Sequence, residues 1–225
     1  MKVLLFGTTG MVGQGVLREC LLDPDVETVL SVGRKRTRRA DPKLRDVVLS
    51  DPGDISSLTA ELPSIDACFF CLGISSFRMS ETEYRRITYD LTLRAAKTLV
   101  AANPRMTFIY VSGSGTDSSE RGSSMWARVK GETENALFKL GFERAVMFRP
   151  GAIQPLHGIE SKTALYRWSY IGLAPLIFLM KTFSPSSVTT TEEVGRAMLA
   201  VAKRGSPKPI VENREIRELG KPPGA

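Results

Sequence analysis

Residues 3–13 read Val-Leu-Leu-Phe-Gly-Thr-Thr-Gly-Met-Val-Gly, an apolar run followed directly by three glycines spaced three residues apart. An amphipathic helical pattern continues from Gln14 to Leu22. A strand, a glycine-rich turn and a helix in this order form the dinucleotide-binding corner of many α/β proteins. Gly7 permits the tight turn, Gly10 lets backbone N–H groups approach a diphosphate, and Gly13 lets the helix pack closely on the sheet. The sequence therefore predicts a diphosphate site at the positive end of this helix.

The spacing of these glycines is Gly-x-x-Gly-x-x-Gly, whereas common dehydrogenases have Gly-x-Gly-x-x-Gly. The match is therefore to a variant of the fingerprint, and the alternative is an ordinary turn between a strand and a helix. We predict that the diphosphate is held by the turn and by the first helical turn, namely by Gly7, Thr9, Gly10, Met11, Val12 and Gly13.

The chain has 225 residues, 42% of them hydrophobic, and can bury one substantial core. We predict a single domain over residues 1–225, with a core of about residues 1–150 and a smaller C-terminal cap of about residues 151–225. The first apolar run is only about five residues long and is used by the first strand, so no cleavable signal is apparent. A cytoplasmic location is therefore expected.

The cysteines and the histidine exclude some kinds of site. Three cysteines, Cys20, Cys68 and Cys71, are too few for a disulfide framework. Cys68 and Cys71 lie in one apolar run, where positions three apart point to opposite faces of a strand, so we expect buried packing. With a single histidine, His157, no metal site is expected.

The net charge of +7 is local, because five positive charges lie in one segment: Arg34, Lys35, Arg36, Arg38 and Arg39. This segment follows the second predicted strand, where dinucleotide-binding proteins select between NAD and NADP. A carboxylate there binds the ribose 2′-OH of NAD, whereas a basic residue accommodates the 2′-phosphate of NADP. We therefore expect NADP(H) to be preferred over NAD(H), with Arg34 as the first candidate and Lys35 as the second. The alternatives are a solvated loop and a polyanion-binding patch, but no recognition module accompanies the segment, and no specific nucleic-acid partner is expected.

Apolar runs alternate with helical patterns along the first 150 residues, which predicts an α/β fold with a doubly wound, mainly parallel sheet and helices on both faces. The predicted strands are Lys2–Phe6, Thr28–Val32, Asp46–Leu49, Ala67–Leu72, Thr107–Ser112 and Arg144–Arg149. The predicted helices are Met11–Leu22, Asp54–Glu61, Ser80–Ala102 and Trp126–Leu140, with Ser80 and Glu83 forming a capping box.

Beyond Gly151 the alternation stops. The segment Leu165–Met180 is rich in aromatic and aliphatic residues, but it is too short and too interrupted to span a bilayer. It predicts a cap over the substrate side or a dimer surface, and peripheral membrane contact is a further alternative; a monomer and a homodimer both remain open. A helix capped by Thr190 or Thr191, a short strand at Pro209–Glu212 and a polar turn complete the prediction.

The motifs resemble those of the atypical short-chain dehydrogenase/reductase family, within the NAD(P)-binding Rossmann superfamily, and most closely its Tat-interacting-protein-like oxidoreductase subgroup. The resemblance covers nearly the whole chain and rests on six stretches in order: residues 7–13, 32–35, 70–73, 129–132, 148–151 and 212–220. It implies that Asp51 lies near the adenine and that Leu72 and Gly73 line the dinucleotide. It also implies that Pro150 and Gly151 shape the nicotinamide end.

Catalysis in this family usually depends on a serine and on a Tyr-x-x-x-Lys pair, whose spacing places both side chains on one helical face. This chain has Trp126-Ala-Arg-Val-Lys130 instead. An indole N–H can donate a hydrogen bond but cannot release a proton near neutral pH, so Trp126 cannot replace the tyrosine as the acid. Lys130 keeps its position and is expected to hold the ribose. Ser114, and after it Ser112, is the candidate that orients a carbonyl.

Two functions follow from these residues. The first is a weak or unusual NADPH-dependent oxidoreductase of a small molecule, whose proton comes from Tyr89, Tyr166, Tyr170 or a water held by Ser114. The second is a non-catalytic NADP(H)-binding sensor or scaffold without a substrate.

Overall fold

The computed structural model describes residues 1–159 and 188–222. Within these ranges the strands β1 to β6 form a parallel sheet with a later strand, β9, in the order β3-β2-β1-β4-β5-β6-β9. Their bounds are β1 (Lys2–Phe6), β2 (Thr28–Gly33), β3 (Leu44–Val48), β4 (Ala67–Phe70), β5 (Thr107–Val111), β6 (Arg144–Arg149) and β9 (Ile210–Glu212). A separate parallel pair consists of β7 (Ala152–Gln154) and β8 (Val188–Thr190). The predicted α/β class with a mainly parallel sheet is confirmed.

Helices cover both faces of the sheet. They are α1 (Met11–Leu22), α2 (Glu81–Arg85), α3 (Leu91–Ala102), α4 (Met125–Phe138), α5 (Thr191–Arg204) and α6 (Asn213–Leu219). A single π-helical turn, Arg86–Asp90, joins α2 to α3 without a break. Among the described helices none is long and apolar enough to cross a membrane.

Two apolar cores form because successive residues of a strand point to opposite faces. In β1, Val3 and Leu5 join the core beneath α1, α5 and α6, while Leu4 and Phe6 join the core beneath α3 and α4. All four side chains are fully buried, as the central position of β1 requires.

The strand order reverses direction at β1, because β2 and β3 lie on one side of it and β4, β5 and β6 on the other. In open parallel sheets, ligands bind at such a switch point, outside the carboxyl ends of the strands. The carboxyl ends of β1 and β4 therefore mark the expected crevice.

Two local predictions were wrong. Asp54–Glu61 is not an α-helix: Ser56–Leu58 and Leu62–Ser64 are short 3-10 helices, and the backbone N–H groups of this segment donate to carbonyls three residues back. The final polar turn is instead the helix α6, which begins with a capping box between Glu212 and Glu215.

The other boundaries lie within a few residues of prediction. The capping box of Ser80 with Glu83 is confirmed, and Thr190 is the N-cap of α5. The predicted cap segment Leu165–Met180 lies outside the described residues, and the division into one domain with a cap stays a prediction.

Candidate nucleotide-binding site

The first glycine turn packs tightly against β4. Gly7 has a φ of +80°, and a Cβ built on it would lie 2.5 Å from the carbonyl oxygen of Cys71. A Cβ built on Gly13 would lie 2.1 Å from the carbonyl oxygen of Gly7. Because all of these neighbours are backbone atoms, any side chain at either position would move the helix or the strands apart. The turn therefore keeps the start of α1 close to the carboxyl ends of β1 and β4.

The start of α1 is open to an anion. Gly10 is the N-cap residue, and its own N–H donates to the carbonyl of Gly7 at 2.8 Å. Among the residues that the structure describes, no side chain caps the helix, and its first turn has no acidic residue. The N–H groups of Met11 and Val12 thus belong to an uncapped N-terminus, where the helix dipole favours negative charge. The N-terminus of α1 is therefore compatible with the diphosphate that the sequence predicts.

The basic segment begins where β2 ends. Arg34 and Lys35 are exposed, so their cationic groups are available to a ligand. Contacts between Thr37 and Asp46 hold the backbone of this loop. The backbone N–H of Thr37 lies 3.1 Å from each carboxylate oxygen of Asp46, and the Thr37 hydroxyl donates to the same carboxylate at 3.0 Å. Sequence reasoning missed Asp46, because a carboxylate in a strand nine residues away carries no local signal of this contact.

The residues predicted along the adenosine half follow the carboxyl ends of β3 and β4. Asp51 forms an ion pair with Arg94 at 2.8 Å and accepts the N–H of Gly53 at 2.9 Å. Leu72 packs against the core beneath α3 and α4. A Cβ built on Gly73 would have no described atom within 4 Å, so the chain is open at this point.

The predicted catalytic residues come together at the carboxyl end of β5. The turn after this strand carries Ser114 between two glycines, and the indole of Trp126 lies over it: a Cβ built on Gly113 or Gly115 would lie 3.9 or 3.6 Å from the ring. Ser114 is exposed, and its backbone N–H donates to the carbonyl of Pro150 at 2.8 Å. One helical turn beyond Trp126, Lys130 reaches the same end of β5.

The ammonium group of Lys130 is desolvated. Its Nζ donates to the carbonyl of Val111 at 3.2 Å and lies 5.3 Å from the centre of the Tyr110 ring. Burial lowers the pKa of Lys130 from its ordinary value of 10.5 to about 8, against the smaller opposing effect of the Glu134 carboxylate.

Ser112 belongs to a buried ionic network. Its hydroxyl lies 2.5 Å from the Glu134 carboxylate and 3.1 Å from the carbonyl of Phe148. Glu134 is fully buried and forms an ion pair with Arg149, whose guanidinium also donates to the hydroxyl of Ser118 at 2.5 Å. Because the Ser112 hydroxyl is engaged by this network, the exposed Ser114 is better placed to meet a ligand.

The last predicted binding residues follow β6. The carbonyl of Pro150 is used by Ser114, and the N–H of Gly151 donates to the side-chain oxygen of Asn213 at 2.7 Å. The start of α6 thus fixes the end of β6, a role for Asn213 that sequence reasoning missed. The predicted site residues follow the carboxyl ends of β1 to β6 or lie in the helices α1 and α4.

Known proteins are similar to this chain in sequence or in fold. No family model matches the chain. The Fmp52 protein of Emericella nidulans is 32% identical over 158 residues, which cover 68% of this chain and 66% of that protein, just under two thirds of its length. The chain is a homologue of the Fmp52 proteins.

Solved structures agree on the fold of this Fmp52 homologue. An oxidoreductase of the short-chain dehydrogenase/reductase family from Burkholderia thailandensis has a TM-score of 0.72 at 15% identity, with 96% of this chain and 92% of that chain covered. The Bordetella bronchiseptica enzyme WbmF, solved in complex with NAD+, has a TM-score of 0.67 at 17% identity, with 97% and 76% covered. The Rossmann fold of this family is therefore shown.

The comparisons correct one expectation and refine another. The cytoplasmic location is contradicted, because the Fmp52 relatives from Emericella nidulans, Aspergillus terreus and Candida albicans are all named mitochondrial proteins. The error arose because a short apolar run argues only against a secretory signal, whereas mitochondrial targeting segments are amphipathic and basic. These relatives carry the name Fmp52 and not that of the Tat-interacting proteins.

Proposed function

We propose that this Fmp52 homologue binds NADP(H) between the β1–α1 corner and the ends of β4 to β6, and that it is a weak or unusual oxidoreductase. The observation that carries the proposal is the uncapped N-terminus of α1, which Gly7 and Gly13 hold against the strand ends with no room for a side chain. In this place a diphosphate supplies the acceptors that the first-turn N–H groups lack.

The preference for NADP(H) over NAD(H) is supported by the basic loop. Arg34 and Lys35 are exposed directly after β2, where the adenosine ribose lies in dinucleotide-binding folds. A guanidinium binds a phosphate through two parallel hydrogen bonds, which a 2′-hydroxyl cannot accept in the same way. Asp46 supports this arrangement because it fixes the backbone of Thr37 in the middle of the loop.

The chemistry at the far end of the site would use the chain's own polar groups. Bound NADPH supplies hydride. Ser114 would orient a carbonyl and Lys130 would bind the ribose, as the family resemblance implies. Trp126 occupies the position of the usual tyrosine and lacks its acidic phenol. Loss of an optimised general acid typically lowers the rate by about 10²- to 10⁴-fold, which leaves slow turnover.

A binding protein without turnover is the second candidate, and Trp126 is the observation that favours it. Its indole covers the turn that carries Ser114, so the position of the phenol is filled by an apolar ring. In that case NADP(H) would stabilise the fold or a partner surface. Ligand at about one hundred times its dissociation constant adds about 2.7 kcal/mol of stability.

Titration of the purified protein with NADPH and NADH, followed by cofactor fluorescence, tests the binding proposal. We expect Arg34→Ala to weaken NADPH about 10- to 100-fold and to leave NADH nearly unchanged, since hydrogen bonds to a charged group contribute about 1.5–3 kcal/mol. Asp46→Asn should weaken NADPH several-fold, because it weakens the contacts with Thr37 that fix the basic loop. Arg105→Ala is the matched control, because it removes an exposed arginine just before β5, at the end of the sheet opposite the proposed site. Equal losses for both cofactors would refute the phosphate assignment.

Absorbance at about 340 nm, followed with aldehydes, ketones and quinones, separates the two candidates. Oxidation of NADPH supports the oxidoreductase, whereas tight binding without oxidation supports the sensor or scaffold. We also propose a mitochondrial location, on the ground of the relatives' names, and membership of the atypical family with its Tat-interacting-protein-like subgroup, on the ground of the shared motifs. Fractionation of cells that express the tagged chain tests the location.

A further inference from the structure

The missing phenol leaves the candidate reductase site without its usual acid. Trp126 lies at the phenol's position, and the nearest ionisable group on the same helical face is Lys130, one turn away. We propose that the Lys130 ammonium is the proton donor of this site, in place of the absent tyrosine. The inference rests on the proposed reductase function and assigns a step that this function leaves open.

Within residues 1–159 and 188–222 the geometry leaves Lys130 without a counter-ion. Glu134 lies one helical turn along α4 and would be the natural partner, but its carboxylate is used elsewhere. One oxygen accepts Ser112 at 2.5 Å and the Nε of Arg149 at 3.1 Å, and the other oxygen accepts a terminal nitrogen of Arg149. Among the described residues no carboxylate forms an ion pair with Lys130. Within the described part of the chain, its ammonium contacts a carbonyl and an aromatic face, from which a proton is more easily released than from an ion pair.

Two further charged side chains of α4, Arg128 and Glu132, form ion pairs with residues of α2. From β5 the Tyr110 ring faces Lys130, and the pKa of this tyrosine is raised, first by burial and then by the nearby Tyr84 and Glu134. Tyr110 therefore stays neutral in the physiological range. From the α2 side, Arg85 pairs with Glu132 and Glu81 pairs with Arg128, so these four groups carry no unbalanced charge toward the site.

The proposed step balances as follows. The carbonyl carbon of the substrate gains hydride from the reduced nicotinamide, and the carbonyl oxygen gains one proton from Nζ of Lys130. The C=O π pair becomes the new O–H bond, the neutral amine remains on the protein, and water returns its proton after product release. Burial supports this step, because it lowers the pKa of Lys130 to about 8, near the value that suits a general acid at neutral pH.

Glu134 and Arg149 are positioning residues for this step. Their ion pair prevents Glu134 from neutralising Lys130, although the carboxylate still raises the pKa of Lys130 from a distance. Glu134→Gln removes that charge and should lower the pKa of Lys130 further. A rise in the pKa would contradict the arrangement.

The first test measures the protonation of Lys130 directly, on the full chain with NADP+ bound. Competitive acetylation at a series of pH values, with peptide mass spectrometry, gives the titration of each lysine. Lys139, which is exposed at the end of the same helix, is the internal reference. We expect Lys130 to titrate near pH 8, about two pH units below the ordinary lysine value of 10.5. Coincident titrations would overturn the proposal.

The second test is chemical rescue. Lys130→Ala, assayed at saturating NADPH, should lower kcat by about 10²- to 10⁴-fold, and added methylammonium or ethylammonium should restore part of it. The restored rate should depend on the pKa of the added ammonium ion. Lys130→Arg should retain NADPH binding but not kcat, because a guanidinium does not release its proton. A lysine that only holds the ribose would show no dependence on ammonium pKa, and that result would overturn the proposal.

The failure of this inference is distinguishable from the failure of the proposed function. Absence of NADPH binding by the unmodified chain refutes the proposed function itself. Binding without NADPH oxidation at any pH refutes the proposed oxidoreductase function and supports the sensor or scaffold. NADPH oxidation with an unchanged kcat in Lys130→Arg refutes the proton-donor role alone.

Discussion

Replacement of Gly13 by alanine tests the packing of the β1–α1 corner. The new Cβ would lie 2.1 Å from the carbonyl oxygen of Gly7, 2.5 Å from its carbonyl carbon and 2.9 Å from the backbone nitrogen of Thr8. The closest of these distances is about 1.3 Å shorter than an ordinary contact. Gly7 cannot move to relieve this clash, because it already packs against the backbone of Cys71. The helix α1 must therefore move away from the sheet.

Overpacking against fixed backbone costs about 3 kcal/mol, the upper part of the usual range. For a chain of this size that cost corresponds to a decrease in Tm of about 6–12 °C. The same movement withdraws the first-turn N–H groups, so NADPH affinity should fall by about tenfold or more. Scanning calorimetry and NADPH titration measure both effects.

Gly33→Ala is the matched control, because a Cβ there would lie 3.7 Å from the nearest neighbour, the carbonyl of Lys35, which is an ordinary contact. We expect its stability to stay within about 0.5 kcal/mol of the unmodified protein. If Gly13→Ala retained the original Tm and the original NADPH affinity, the close approach of α1 to the strand ends would be refuted.

Three further predictions concern the crevice and the buried network. Gly73→Ala should leave Tm unchanged, since a Cβ there meets open space, but should weaken NADPH about tenfold if the dinucleotide passes over it; calorimetry and titration on one sample separate the two effects. Glu134→Leu should cost about 3–5 kcal/mol in urea unfolding, because it removes the buried partner of Arg149 and leaves the guanidinium with only the longer contact to Glu212 among the described carboxylates. Glu134→Leu combined with Arg149→Met should recover most of that loss. Lys130→Met should change the pH dependence of stability, measured by urea unfolding. Below about pH 8, Lys130 is charged in both the folded and the unfolded protein. Between about pH 8 and 10.5 the unfolded protein binds more protons, so the unmodified protein should gain stability relative to the variant as the pH rises across that window. A parallel pH dependence of the two proteins would contradict the burial of this ammonium.

The corner at β1 and α1 could be predicted because its determinants are local. A short apolar strand, a glycine that needs a positive φ and a glycine under a helix all appear within eleven residues. The capping box at Ser80 and Glu83 is local in the same way. Such features depend on backbone sterics and on hydrogen bonds between neighbours, which sequence spacing records.

The contacts that complete the site could not be predicted, because they join distant segments. Glu134 lies in a helix whose polar residues suggest a solvated face, yet the packing of α4 on β6 buries it against Arg149. Asp46 contacts Thr37 only because β3 pairs with β2. The engagement of Ser112 follows from the same packing and separates it from the exposed Ser114.

The two wrong elements have physical causes. Between Asp54 and Glu61 the chain makes only three-residue hydrogen-bonded turns, with the Asp54 carboxylate accepting the N–H of Ser56 at 3.1 Å and with Pro63 just beyond. An amphipathic pattern of eight residues was too short to distinguish these turns from a helix. For α6 the capping pair Glu212 and Glu215 was the available signal, and glutamate is an unusual N-cap.

A crystal structure of the full chain grown with NADPH tests the central claim most directly. We predict that the diphosphate lies on the N–H groups at the start of α1 and that the 2′-phosphate contacts the guanidinium of Arg34. A nucleotide bound elsewhere on the molecule, or an empty corner at millimolar NADPH, would contradict the claim.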